Sequence, residues 1–546
     1  MRGRMAGGKR HKNMAPFVGL RVAWWFWVDS GMNKATSTFL LLVVAACSST
    51  PDTSPSPAPA TLIVNATVLD GTGADGRAAS VRVEGDRIVA VGTLQARPDD
   101  RVVDGAGLVL APGFIDTHSH ADGDIFEHRD ATAVVSQGIT TVVVGQDGGS
   151  PDTLSAFFGR LERAPAAVNV ASYVGHNTVR DAVMGEDFRR RATPEEVARM
   201  EALVRQGMRD GALGLSTGLE YDPGIYSDPS EVRTLARAAA EMGGRYISHI
   251  RSEDRWFWAA VDEIIEIGRT TGMPVQISHI KLAMRSHWGK ADSLLRVLDR
   301  ARQSGVNLTA DIYPYTYWQS NLSVLLPERD FDDRASAQLA LDEIAPPEGL
   351  LLTAYAPDPS YVGQTVAEIA RMQGTDPTTT YLDLVKRAEA LSAARASGDS
   401  GAASGEVDGV IGTSMTEADV ERLMTWPHVN FCTDGSLVGR HPRGSGSFPK
   451  ILGHYVRERG TLTLPEAVRK LSGLAASNTG IRDRGTIAPG MRADLVLFDP
   501  KTVIDRATLE HPAAVSEGIH TVWVNGSVVY RERKATGAFP GRVIRR

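Results

Sequence analysis

Two cysteines, Cys47 and Cys432, are all that the 546 residues contain. Cys47 lies in a leader-like segment taken up below, which leaves Cys432 alone, and one thiol forms no internal disulfide. An excess of basic charge is also missing, since the formal net charge is −6. Residues 1–31 hold six Lys/Arg and one acid, so residues 32–546 carry −11 and give no support for nucleic-acid binding. Beyond the apolar run Phe39–Ala46, itself too short for a span, no segment is long enough to cross a bilayer. What is present is a chain 42% hydrophobic with 54 glycines. That suffices to bury a barrel core and a second domain, with glycine to spare for strand-to-helix corners.

The run Gly113-Phe-Ile-Asp-Thr-His118-Ser-His120 ends an apolar strand in two histidines one residue apart. In a strand, residues i and i+2 share a face, so both imidazoles aim at one point, which can hold a metal ion. Taken alone, such a pair is more often a structural or surface pair than a metal site. Further along, Tyr246-Ile-Ser-His249 and Val275-Gln-Ile-Ser-His279 each place a histidine at the end of a short apolar run, and Val429-Asn-Phe-Cys-Thr-Asp434 places an aspartate there.

Eight β-prone runs occur in order: 113–120, 140–147, 168–176, 211–218, 245–251, 274–280, 306–313 and 428–435. Helical patterns separate several of them. Thr193-Pro-Glu-Glu196 is a capping box with proline at the first helical position, followed by Val197, Met200, Leu203 and Val204 at helical spacing. Gly211, Gly243, Gly272 and Gly305 each fall where a helix must stop before the next strand. Alternation of this kind predicts an α/β fold, a closed (β/α)8 TIM-like barrel whose active site forms at the carboxyl ends of its strands. All the candidate ligands sit at such ends.

With these residues in place, the chain from about Thr61 onward resembles the amidohydrolase superfamily. The resemblance implies metal ligands at His118, His120, His249, His279 and Asp434, and zinc as the cofactor, one or two ions. Gly214-Leu-Ser-Thr-Gly-Leu-Glu-Tyr221, His249-Ile-Arg-Ser-Glu253, Asp311-Ile-Tyr-Pro-Tyr315 and His441-Pro-Arg443 are similar to segments of the N-acyl-D-amino-acid deacylases, or D-aminoacylases. That branch carries a zinc-binding cysteine after strand two, where this chain has Val142-Val-Val-Gly-Gln-Asp147. The register makes Asp147 the replacement, a harder donor able to bridge two ions.

The resemblance implies hydrolysis of an N-acyl amino acid, a small-molecule substrate, with Asp434 as general base and then acid. Arg443 is the candidate for the substrate carboxylate by the same likeness, its planar fork suiting a bidentate contact. Lys281, Tyr221 and Tyr315 stand between substrate binding and plain packing. His176 reads as a structural histidine, as do His128, His287, His428 and His454, and Cys432 reads as packing. A hydantoinase-type site would need a bridging lysine, and strand four has none. A dipeptidase, or a catalytically silent ligand-binding lipoprotein, are the alternatives.

Short β runs at Leu62–Leu69, Ser80–Gly85, Arg87–Val91, Asp494–Phe498 and Val522–Val529 predict a small antiparallel β-sandwich shared by residues 61–111 and 486–546. The barrel then spans 112–485. A subdomain inserted at about 320–410 would lie over its mouth and includes a Ser/Gly/Ala-rich run at 396–405. At the N-terminus, Asn33-Lys34, the apolar Phe39–Ala46 and Cys47 resemble a lipoprotein signal over 32–47, followed by a Ser/Pro/Thr-rich tether over 48–60. Residues 1–31 read as upstream sequence or an extended leader. Export to the periplasm with a lipid anchor on Cys47 is the expectation, and that anchor is the chain's one expected membrane contact.

Overall fold

Runs of β-branched residues make the barrel wall. Ile139-Thr-Thr-Val-Val-Val144 is buried along its whole length, as suits a parallel strand covered on both faces. The computed structural model describes residues 59–396 and 406–546. The upstream segment, the signal-like run with Cys47, most of the tether and the Ser/Gly/Ala-rich run lie outside the described residues.

The eight barrel strands are Phe114–Asp116, Ile139–Val144, Asn169–Ser172 continued by Val174–Gly175, Gly214–Gly218, Arg245–His249, Val275–Ile277, Leu308–Ile312 and Val429–Phe431. Each pairs in parallel with the next. Closure of the eighth onto the first comes from a bridge between Ser119 and Gly435. There Asp434 N donates to His118 O at 2.9 Å and His120 N to Gly435 O at 2.9 Å. The closing contact therefore lies among the candidate ligands themselves.

The helices between strands form where the caps and periodicity place them. Pro194–Asp210 starts on a full capping box, Thr193 with Glu196, and ends at Gly211 with φ 109°. That left-handed conformation costs glycine little and other residues more. Its buried face, Met200, Val204 and Met208, joins the core around the barrel. Among the described residues no helix is long and apolar enough to cross a membrane.

A buried ion trio ties the third strand's end to the outer helices. His176 Nε2 lies 2.9 Å from Glu231 Oε1, and Arg180 Nη1 donates to Glu231 Oε2 at 2.5 Å. Burial pushes the Glu231 carboxyl up, but His176 and Arg180 outweigh it and hold the group below its ordinary 4.5. Its stabilising contribution is therefore present above the unfolded-state value and is lost as pH falls through the lowered one. Glu231→Gln leaves Arg180 buried without its anion and is expected to lower stability by about 3–5 kcal/mol. Urea unfolding followed by circular dichroism reads this; a change below about 1 kcal/mol would mean the trio stabilises nothing.

The terminal segments do pair with each other, but in one continuous nine-stranded sheet. It curls round a core of its own in which Ile63, Val81, Ile88, Leu497 and Trp523 meet. Two of its pairings depart from the antiparallel expectation: Thr61–Val68 runs parallel to Arg101–Asp104 and to Val109–Pro112. The latter strand leads straight into the barrel, so its direction is set by the barrel entry. The run read as one strand near Val522 is a hairpin, Ile519–Val524 and Ser527–Arg531. Asn525 and Gly526 form its turn at φ 47° and 78°, the conformation an Asn-Gly pair favours.

The insertion is a three-stranded antiparallel sheet with Asp408–Thr413 in the centre, flanked by Tyr317–Ser320 and Leu350–Tyr355. The helix expected from Tyr381 runs from Pro377 to Ala396. Trp318, Val324, Leu325 and Ile344 from this segment line a cavity together with His249, His279 and Asp434.

Candidate metal centre

Each candidate ligand leaves the barrel at a strand's carboxyl end, where the chain turns sharply. Asp147, His279 and Asp434 all adopt positive φ, 50°, 32° and 51°. Such backbone is uncommon outside glycine and is kept where the surroundings over-determine it. Here the neighbours do so: His279 N donates to Asp311 Oδ1 at 2.6 Å. Thr433, just before Asp434, donates through its N at 2.9 Å and its Oγ at 2.5 Å to Asp116.

The donors converge. His118 Nε2 is 3.2 Å from Asp147 Oδ2 and 3.5 Å from Asp434 Oδ1; His120 Nε2 is 3.4 Å and 3.1 Å from the same two oxygens. On the other side, Asp147 Oδ1 is 3.5 Å from His279 Nε2, which is 3.1 Å from His249 Nδ1. Ligands bound at 2.0–2.2 Å in a tetrahedron lie about 3.4 Å apart, so these spacings suit zinc. Asp147 belongs to both groups, one oxygen to each, and links His118, His120 and Asp434 to His249 and His279.

The field of the site asks for positive charge. Desolvation disfavours the imidazolium forms, yet Asp147 and Asp434 outweigh it, holding His118 well above its usual value and His120 at about 9. His279 is raised too, burial and Lys281 being outweighed by Glu253, Asp434 and Asp147. For Asp434 burial pushes upward, but Arg443, His279 and His118 keep its carboxyl below the usual range. Asp147 Oδ1, which faces His279, is buried without a hydrogen-bond partner among the described residues. This orphaned oxygen, the raised imidazoles and the tetrahedral spacings all fit a divalent cation.

Arg443 is buried, donates from Nη1 to Asp434 Oδ2 at 2.5 Å and lines the cavity. Tyr221 lines the cavity with its ring 4.4 Å from that of His249. Lys281 also lines it, but its ammonium donates to both Glu253 oxygens at 2.6 Å and lies 2.7 Å from His279 Nδ1. This position makes Lys281 a brace for the His279 ring before it is a substrate contact.

Tyr315 is a correction. Its hydroxyl donates to Pro442 O at 3.4 Å and its ring packs against Tyr317 and His441, away from the cavity lining. Tyr313 lines the cavity instead, its hydroxyl buried with no hydrogen-bond partner among the described residues. Strand seven ends at Ile312 and Pro314 then turns the chain, so the i, i+2 rule that would group Tyr313 with Tyr315 fails.

Two acids escaped the sequence reading. Glu220 Oε2 lies 2.9 Å from His249 Nε2, and Glu253 Oε1 lies 3.0 Å from His279 Nδ1. Both orient ligand imidazoles from the ring's far nitrogen, and both lie in segments already singled out, after strands four and five. The histidines read as structural are so placed: His176 is held by Glu231, and His128, His287, His428 and His454 belong to no donor group. Cys432 is buried and donates to Asp311 at 3.3 Å, outside the donor groups.

A parallel barrel with metal donors gathered from the rims of its first, second, fifth, sixth and eighth strands defines a metal-dependent hydrolase. The chain belongs to the amidohydrolase family, whose Amidohydro_3 pattern matches residues 101–530. It is similar to the N-acyl-D-glutamate deacylase of Alcaligenes xylosoxydans xylosoxydans, 38% identical over 503 residues, covering 88% of this chain and 95% of that one. Among solved structures, that of D-aminoacylase superposes with a TM-score of 0.78 at 35% identity, covering 89% and 99% of the two chains. The N-acyl-D-glutamate deacylase of Bordetella bronchiseptica, solved with zinc and a phosphonate mimic of the tetrahedral intermediate, gives 0.78 at 35%, covering 90% and 100%.

Proposed function

We propose that this enzyme is a zinc-dependent deacylase that cleaves N-acyl-D-amino acids to a carboxylate and a free D-amino acid. The observation that carries the reading is the set of donor spacings of 3.1–3.5 Å around Asp147 and Asp434, beside a cavity that Arg443 also lines. Relatives of 38% and 35% identity bear deacylase names, and one of them holds zinc.

His118, His120, Asp147 and Asp434 would hold one ion, and Asp147, His249 and His279 a second. Zinc bound there supplies Lewis acidity, which yields hydroxide near neutral pH and polarises an amide carbonyl. Asp434, a carboxylate among the donors, would accept the proton of the attacking water and pass it to the departing amine nitrogen. Arg443 orients the substrate through its carboxylate. Tyr313, whose buried hydroxyl stays protonated because desolvation lifts it well above the usual phenol value, donates to a substrate oxygen.

Zinc-loaded protein is expected to hydrolyse N-acetyl-D-amino acids and to leave the L antipodes and simple dipeptides largely untouched. Equal turnover of both antipodes, or of dipeptides alone, would overturn the assignment. Tyr313→Phe is expected to lower kcat/KM about a hundredfold, and an unchanged value would show the hydroxyl to be idle.

The charged start, apolar core and Cys47 of residues 32–47 further support a periplasmic lipoprotein tethered by a Ser/Pro/Thr-rich linker. Cys47→Ser is expected to move the enzyme from the membrane fraction to the soluble periplasm. Equal membrane retention of wild type and variant would exclude the anchor.

A further inference from the structure

Arg443 reaches the cavity from the first residue of the helix Arg443–Lys450. Its guanidinium has one hydrogen-bond partner among the described residues, Asp434, and its central carbon lies 5.0 Å from the centre of the Tyr313 ring. Nε is buried with no partner among those residues. A fork left this free to meet a substrate carboxylate takes its position from its backbone, and that backbone is held by His441.

The His441 ring is 2% exposed and bonded at both nitrogens. Arg443 N donates to Nδ1 at 3.0 Å, which satisfies an N–H that the helix leaves without an internal partner. Nε2 lies 3.1 Å from Tyr317 O, and because a carbonyl only accepts, Nε2 carries the proton and donates it. That leaves the Nδ1 lone pair for Arg443. Burial and the nearby guanidinium hold the imidazole well below its ordinary 6.5, so the neutral form that this pattern needs is the form present. The ring is also wedged, stacked on Tyr317 at 4.8 Å and edge-on to Tyr315 at 5.5 Å. Tyr317 opens the first strand of the insertion, whose Trp318, Gln319 and Ser320 line the cavity. One ring thus ties the start of the Arg443 helix to a segment of the cavity wall.

We propose that His441 is a positioning residue for substrate binding: through the bond from Arg443 N to its Nδ1, it sets where the Arg443 guanidinium meets the substrate carboxylate. This rests on the deacylase reading and deepens it. His441 belongs to no metal donor group, so its loss acts through Arg443 and leaves the ion positions as they are. A planar fork bound to a planar carboxylate tolerates little displacement, and a shift of about 1 Å costs up to about a hundredfold.

The test compares zinc-loaded wild type, His441→Ala, His441→Asn, Arg443→Met and the double variant His441→Ala with Arg443→Met on N-acetyl-D-leucine and N-acetyl-D-glutamate. KM is the readout, because a smaller folded fraction lowers the apparent kcat and leaves KM unmoved. On whichever substrate the wild type turns over faster, His441→Ala is expected to raise KM at least about tenfold. His441→Asn, whose amide oxygen stands in for Nδ1 toward Arg443 N, is expected to recover most of that loss. On the Arg443→Met background, His441→Ala is expected to add nothing, since the group it positions is gone. An unchanged KM in His441→Ala, a KM as high in His441→Asn as in His441→Ala, or an equal further rise on the Arg443→Met background would each overturn the positioning role and leave the deacylase reading standing. A wild type that hydrolyses neither substrate would overturn that reading and this inference with it.

Discussion

Asp434→Asn is expected to reduce kcat by at least about a thousandfold, the range general acid–base groups supply, while most of the metal stays bound. Asparagine keeps the size of the side chain and one carbonyl oxygen at the position that faces His118 and His120 at 3.5 and 3.1 Å. It loses the negative charge and the capacity to take a proton and return it to the amine. Arg443 also loses the anion to which it donates. Circular dichroism and denaturant midpoint therefore accompany the kinetics, so that a folding defect is told apart from a chemical one. Metal analysis of wild type and variant gives the second readout. Turnover within about tenfold of wild type would remove Asp434 as the base; loss of the metal with the activity would make it chiefly a ligand.

The barrel was legible because its signals are local. β-Branched runs, the Thr193 capping box and the helix-closing glycines each lie within a few residues of the element they specify. The candidate ligands were legible because His118 and His120 together, and Asp147, His249, His279 and Asp434 singly, stand at or just past the carboxyl end of a short apolar run. What escaped depends on contacts between distant segments. Glu220 and Glu253 become visible only when strands four, five and six lie side by side and their loops meet His249 and His279. The choice of Tyr313 over Tyr315 turns on Pro314 ending the strand geometry. The sheet of the insertion pairs Tyr317–Ser320 with Asp408–Thr413, about ninety residues on, and no periodicity within either run announces such a pairing.

Asp147 bears the second large expectation. Each of its oxygens faces a different set of imidazoles, Oδ2 toward His118 and His120 and Oδ1 toward His279. Removing this one side chain therefore weakens both ion positions at once, where loss of His120 or His249 would touch one. Asp147→Ala also withdraws an anion that holds His118, His120 and His279 toward their cationic forms, so the site loses part of the field that attracts a metal. Metal affinity is expected to fall by at least about a hundredfold, beyond the 10–100-fold that loss of a supporting outer-shell group costs, and activity to fall with it. Asp147→Asn, which keeps one coordinating oxygen, is expected to lose less zinc than Asp147→Ala and more than the wild type. Equilibrium dialysis against zinc, read by metal analysis, separates the cases. If Asp147→Ala binds zinc as wild type does, the linking role of Asp147 is excluded and the two donor groups act independently.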